Sequence, residues 1–249
     1  MNCKNCEIQL SNEDNFCPSC GGKIIHNRLT IKNLLQHLGE TFLNYDNKFL
    51  KTIINLIKRP EDVIVSYING VRKKYINPIS FFAISLTISG LLIFIIKKYY
   101  SSLLDFSKLY ENEAQQKMMI SVMEGTFEYN SLIYSALIPF LAIISLLVFF
   151  NKKYNLTEHI VIYLYSMSLF SIISAISGLI ILLINSQLYI SFSVVIYALI
   201  FIYHCYMLKR MFNLNGFQLL LKTLLFLLLF FVLYLVVTVL VFIVLFAPK

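Results

Sequence analysis

From Pro78 to Ile96 the chain carries no ionisable side chain. As a helix this run is about 28 Å long at 1.5 Å per residue, enough to cross the hydrocarbon core of a bilayer. Four further runs, 131–150, 160–184, 188–208 and 223–246, are equally free of Asp, Glu, Lys and Arg. With 58% hydrophobic and 14% charged residues, the composition is far from that of a water-soluble domain. The fold class expected is an all-α helical membrane bundle of about five transmembrane helices over 78–249. In front of it come a small zinc ribbon over 1–27 and amphipathic, basic juxtamembrane helices over 28–77.

The change of solvent falls between Arg59 and Phe82. Pro60 suits the first turn of a helix, and Glu61 and Asp62 suit its positive dipole end. Val63, Ile64, Tyr67 and Ile68 share one face, and Gly70 is the residue type that ends a helix in the left-handed region. Arg72, Lys73 and Lys74 follow, and Asn77-Pro78 supplies a cap and first residue for the first span. These three cations are candidates for the membrane surface, where each adds about 1 kcal/mol of attraction to anionic headgroups.

Five cysteines are present, four of them within the first twenty residues. Cys3-Lys4-Asn5-Cys6 and Cys17-Pro18-Ser19-Cys20 are two C-x-x-C knuckles, each a tight turn that brings two thiolates to one tetrahedral metal ion. Met1 to Asn77 has no long apolar run, so no signal peptide is expected and the knuckles are expected in the reducing cytosol, where paired cysteines of this spacing bind zinc more often than they act as a redox dithiol. Four thiolates close the shell of a structural Zn²⁺ and leave no position for catalysis. So small a module takes its folding free energy from the metal. Phe16 is expected to plug its core. Lys4 and Lys23 against Glu7, Glu13 and Asp14 leave no basic patch, so no nucleic acid partner is expected.

Between ribbon and spans, Thr30 can cap a helix with a stripe of Ile31, Leu34, Leu35, Leu38 and Phe42. A second stripe comprises Phe49, Leu50, Ile53, Ile54 and Ile57. Nine basic and four acidic residues lie between Arg28 and Lys74. Two arrangements fit: a small soluble bundle, or helices lying in the interface of an anionic bilayer, the second favoured by the charge.

The order FCPSCGG, Arg28-Leu29-Thr30, Arg59-Pro60, Tyr67-Ile68-x-Gly70-x-Arg72 and Tyr75-x-x-Pro78 resembles an uncharacterised bacterial family of zinc-ribbon multi-pass membrane proteins. That family usually has Gly where this chain has Glu7, and Gln where it has Gly22. The resemblance covers about the first third of the chain. It implies the layout and a bacterial cytoplasmic (inner) membrane, and no reaction.

Positive residues on the short loops set the orientation. Lys152, Lys153, Lys209, Arg210 and Lys222 fall on one side if the N-terminus is cytosolic and the C-terminus outside, with Lys97 and Lys98 as exceptions. Small residues mark expected packing faces: Ser80, Ala83, Thr87 and Gly90 in the first span, Ser135, Ala142 and Ser145 in the second, and Ser171, Ala175 and Gly178 in the third, taken as the central helix. The fifth is expected at the lipid-facing periphery. The loop from Tyr99 to Asn130 is expected to form one or two helices before Gly125.

Chemistry-bearing groups are scarce. His204 and Cys205 are the notable polar side chains within a span, and a lone His there more often bonds a neighbouring helix than binds a ligand. Glu158-His159 reads as a solvated helix start. No nucleotide loop or nucleophile elbow is present, so no enzyme activity is expected. Two function classes remain. One is a membrane-tethered adaptor presenting the ribbon to a cytosolic protein partner. The other is an oligomeric pore or small-solute transporter, with Ser168, Ser171 and Ser174 lining it in a homo-oligomer.

Overall fold

The computed structural model describes residues 2–11, 14–22, 24, 30, 48–100 and 112–246. Contacts divide the chain into two compact units, Met1–Asn47 and Lys48–Lys249. The second unit is helical: α1 Lys48–Lys58, α2 Pro60–Ile68, α3 Pro78–Tyr99, α4 Glu113–Glu128, α5 Asn130–Val148, α6 Leu156–Ile184, α7 Tyr189–Phe212 and α8 Gly216–Phe246. Among the described residues five helices (α3, α5, α6, α7 and α8) are long and apolar enough to cross a membrane, so the protein has the build of a multi-pass membrane protein.

Local chemistry explains the helix ends. Pro78 opens α3, and the Asn77 side chain accepts from Ser80 N at 2.8 Å. Asn155 and Glu158 form a reciprocal capping box on α6, with bonds of 2.8 and 2.9 Å. Gly70 closes the segment after α2 at φ +91°, and Asn213 ends α7 at φ +50°, the left-handed positions that Gly and Asn tolerate. A three-residue 3₁₀ turn, Ser186–Leu188, joins α6 to α7. The observed spans start or end a few residues beyond the apolar runs, because capping residues and terminal cations belong to the same helices.

Helix α6 is central. It contacts α3, α5 and α7, and also α1 and α2. Ala175 and Gly178 let α3 approach closely, and a Cβ added at Gly178 would lie 3.5 Å from a Leu92 methyl. In α5, Ala142 and Ser145 are buried as expected. In α3 the packing face differs from the expected one: Phe81, Ser85, Leu92 and Ile96 are buried, whereas Ser80, Ala83, Thr87 and Gly90 are exposed. Both faces of this helix are apolar enough for lipid, so side-chain size alone does not select the inner one. Helix α8 rests on α5 and α7 and is exposed along most of its described side chains.

The main core does not stop at the first span. Leu56 of α1 and Val63 and Ile64 of α2 share one buried cluster with Phe81, Ile144, Ile162, Tyr165 and Met207. For Leu56, Val63 and Ile64, which precede the spans, removal from water contributes roughly 1.5–3 kcal/mol each. The helix expected over Ile31 to Phe42, and the loop residues 101–111, lie outside the described residues. Beyond the latter, α4 runs through Gly125 to Glu128.

Candidate metal site and the docked hairpin

The two knuckles are built alike. Glu7 N donates to Cys3 O at 2.8 Å and Cys3 N to Ile8 O at 2.8 Å. Fourteen positions on, Gly21 N donates to Cys17 O at 2.9 Å and Cys17 N to Gly22 O at 2.8 Å. Each pattern curls the backbone around its two sulfurs. Glu7 and Gly21 occupy equivalent left-handed positions, at φ +62° and +68°. That geometry gives a physical reason for glycine at the place of Glu7 in the resembling family, since a Cβ is disfavoured there. An isolated antiparallel bridge, Asn2 with Gln9, backs the first knuckle.

The four Sγ atoms lie within 4.8 Å of one another, so Cys3, Cys6, Cys17 and Cys20 could hold a metal ion. The separations are 3.7 Å for Cys3–Cys20 and 3.5 Å for Cys6–Cys17. A tetrahedron of sulfurs about 2.3 Å from a central Zn²⁺ has edges of about 3.8 Å, so the donor set fits such an ion. The hydrogen bond from the Asn5 side chain, then the Gly22 backbone, pulls the Cys20 thiol down, while Cys6, against a lowering bond from the Ile8 backbone, is pushed up by the crowding of Cys17. Cys3, Leu10 and Cys17 are buried here, with Cys6 and Ile24 against them. Phe16, expected as the plug, is 57% exposed instead. The sulfurs themselves occupy the centre of so small a unit.

In the second unit α1 and α2 form a hairpin docked on the end of the bundle where α6 begins and α7 ends. The expected α1 stripe is divided. Phe49 and Ile53 pack on the core beside buried Thr52 and Leu56, while Leu50, Ile54 and Ile57 are about half exposed. Thr52 Oγ1 donates to Lys48 O at 2.5 Å and accepts from Ile76 N at 3.1 Å, tying α1 to the entry of α3. Three tyrosines from the spans then reach carbonyls of this segment: Tyr203 to Leu56 O at 2.7 Å, Tyr206 to Lys58 O at 2.8 Å, and Tyr165 to Ile76 O at 2.7 Å. The first two satisfy last-turn carbonyls of α1, which have no partner within their own helix.

Charges reinforce the dock. Glu61 pairs with Arg210 of α7, and Asp62 takes Lys74 at 2.8 and 2.9 Å and the Tyr75 hydroxyl at 2.5 Å. Hydrogen bonding from Lys74, then from Tyr75, holds the Asp62 carboxyl below its usual range. Of the three cations assigned to the membrane surface, Lys74 is thus bound to Asp62, Arg72 stacks 3.9 Å above the Tyr67 ring, and Lys73 is exposed. Helix C-termini at this end are capped by lysines from elsewhere: Lys152 donates to Phe212 O at 2.8 Å and Lys222 to Val148 O at 2.5 Å.

Two histidines on the spans make hydrogen bonds inside the bundle. His204 Nε2 meets Ser166 Oγ at 3.2 Å and Nδ1 meets Ile200 O at 3.2 Å, so both ring nitrogens are used within the bundle. His159 is fully buried rather than solvated, 2.9 Å from Ser145 Oγ. Only its neighbour Glu158 behaves as a helix start. Buried atoms without a hydrogen-bond partner among the described residues are Glu61 Oε2, His159 Nε2 and the hydroxyl of Tyr163, a ring that lies beside Ser145.

No curated protein and no solved structure matches the chain. A family model described as "Protein of unknown function (DUF3667)" matches residues 46–90, which are the docked hairpin, the basic segment and the first half of α3.

Proposed function

We propose that this chain is a membrane-tethered adaptor of the bacterial cytoplasmic membrane, presenting a zinc-bound ribbon to a cytosolic protein partner. The observation that carries this reading is the fixing of α1 and α2 into the bundle core. Leu56, Val63 and Ile64 are wholly buried there, and Tyr203 and Tyr206 hold the end of α1. Helices α1 and α2 are therefore a fixed mount on the spans, and a mount is what a tether requires. Four cysteine sulfurs at zinc-like separations supply the module. The cations Arg72 and Lys73, with exposed Ile54 and Ile57, meet anionic headgroups at the cytosolic face.

Nothing in this reading asks for an enzyme. Cys3, Cys6, Cys17 and Cys20 close a structural metal shell, and the span histidines are engaged by Ser145 and Ser166. A pore or transporter assembled from several chains is the second reading, since Ser168, Ser171 and Ser174 share one stretch of α6. Within one chain Ser168 and Ser174 donate to carbonyls of their own helix and Ser171 to Ser85 of α3, so each hydroxyl has an acceptor without assembly of several chains.

Reconstitution separates the two. Purified protein should contain one zinc per chain and pass no ions through liposomes. Cys17→Ser should lose the zinc. Currents that depend on zinc or voltage and vanish when the three serines become leucine would make it a pore.

A further inference from the structure

Two cavities run along one side of α7. The first, about 230 Å³, lies between α3, α6 and α7 toward the bundle end that carries Tyr189 and Asn130. The second, about 480 Å³, lies between α5, α6, α7 and α8, and its volume falls within the range of roughly 300–1,000 Å³ typical of small-molecule sites. Tyr134, Phe170, Tyr197 and Ile200 line both, so the two form one groove. Helix α7 leaves the groove open because its buried residues (Met207, Leu208, Met211 and Phe212) are confined to its C-terminal turns.

The lining changes character along the bundle axis. At the Tyr189 end, serines from three helices converge: Ser89, Ser171, Ser174 and Ser193. Farther in the walls are almost entirely apolar, with Leu137, Leu141, Met167, Phe226 and Phe230. Three of the serine hydroxyls make long bonds to backbone carbonyls: Ser89 to Leu86 at 3.1 Å, Ser171 to Ser85 at 3.3 Å and Ser174 to Ser171 at 3.2 Å. Bonds of that length are weak enough to be exchanged for a better acceptor. At the polar end Lys97 reaches over the Phe127 ring at 5.7 Å, and Phe127 lines the cavity. Lys97 is one of the cations that departs from the positive-inside pattern.

We propose that this groove holds one glycerophospholipid with an anionic headgroup. One of its two acyl chains fills the apolar cavity while the other stays in the bilayer, its ester carbonyls accept from the serine hydroxyls, and its phosphate lies at Lys97. The order apolar, ester, anion along the groove is that of such a lipid standing in the leaflet at the Tyr189 end. No covalent step is involved.

Native mass spectrometry of the full chain released from detergent tests this, with phosphatidylglycerol and phosphatidylcholine as probes. One phosphatidylglycerol per chain should survive conditions that strip surface lipid. Ile200→Trp, which fills the shared wall, should cut retention at least tenfold. Lys97→Gln should leave the chain binding phosphatidylglycerol no better than phosphatidylcholine. Leu147→Trp, on an exposed face of α5, should change nothing. If Ile200→Trp loses its helical circular dichroism, Ser193→Phe gives the same reading. No retained lipid, or equal retention by a folded groove variant, overturns the proposal. So does a lipid-free dimer that dissociates on Ile200→Trp, because a second copy would then cover the groove.

Discussion

The Tyr203 hydroxyl donates to the Leu56 carbonyl at 2.7 Å, joining positions 147 apart in the chain. Three residues on, Tyr206 makes the same kind of bond to Lys58 O at 2.8 Å. Side chains three apart on a helix share a face, so one face of α7 clamps the last turn of α1. A tyrosine hydroxyl has an apolar ring behind it, which suits a contact between lipid-facing helices and a segment in water.

Tyr203→Phe removes that hydroxyl and leaves the ring. The expected loss is about 1 kcal/mol of local stability, a factor of about five in opening of α1. Hydrogen exchange of residues 48–58 in lipid nanodiscs reads it directly. Tyr206→Phe should act in the same direction, and the double variant should exchange faster than either. Unchanged protection in the double variant would mean that apolar packing alone holds the hairpin.

Asp62 makes the dock sensitive to acid. Its carboxyl is held below the ordinary range by Lys74, then by Tyr75. A depressed folded pKa favours the ionised state, so the stabilisation is present above about pH 4 and lost as pH falls through the folded value. Lys74, raised chiefly by Asp62, would lose its share only above about pH 10.4. Exchange in 60–76, corrected for its intrinsic rate, should rise below pH 4 in the native chain. Asp62→Asn should already be fast at pH 7 and show little further change.

Two glycines separate backbone strain from crowding. A Cβ at Gly70 or Gly90 meets nothing within 4 Å, but Gly70 has φ +91°. Gly70→Ala should therefore cost about 1–2 kcal/mol, as a left-handed position does for an L-residue. Gly90→Ala, within α3, should be neutral or slightly stabilising. Thermal unfolding in detergent checks both, and equal shifts would contradict the assignment of strain to Gly70.

If all five apolar helices cross, the two termini lie on opposite sides. A reporter fused after Lys249 should score outside and one after Asn151 inside, following the positive loop residues. Signals from one side would mean that an apolar helix, α6 or α7 above all, does not cross.

Local chemistry was legible in the sequence. The knuckle spacing put Cys3, Cys6, Cys17 and Cys20 together, and Asn77-Pro78 and Gly70 marked true boundaries, because each depends on residues a few positions apart. What joins distant elements was not. Glu61 and Asp62 were legible as dipole partners of α2, but nothing near them indicates Arg210, 149 positions away from Glu61. The α1 stripe looked like one lipid-facing or core-facing surface, and Thr52 gave no sign that it would be buried between Phe49 and Leu56. In α3 the small residues faced outward because lipid and protein interior are both apolar, so hydrophobicity stops distinguishing inside from outside. Phe16 differs for another reason: in so small a unit the cysteines themselves, with Leu10, are the core.

The adaptor reading is tested most directly at Phe16, which is 57% exposed on the four-cysteine unit. A photo-reactive phenylalanine analogue at this position, in the full chain and in living cells, should cross-link a discrete cytosolic protein on illumination. The cross-link should disappear with Cys17→Ser while the membrane helices stay inserted, because the metal ligand set holds that surface together. A cross-link unchanged by Cys17→Ser, or label found only on lipid, would contradict a metal-dependent presentation of the ribbon to a partner.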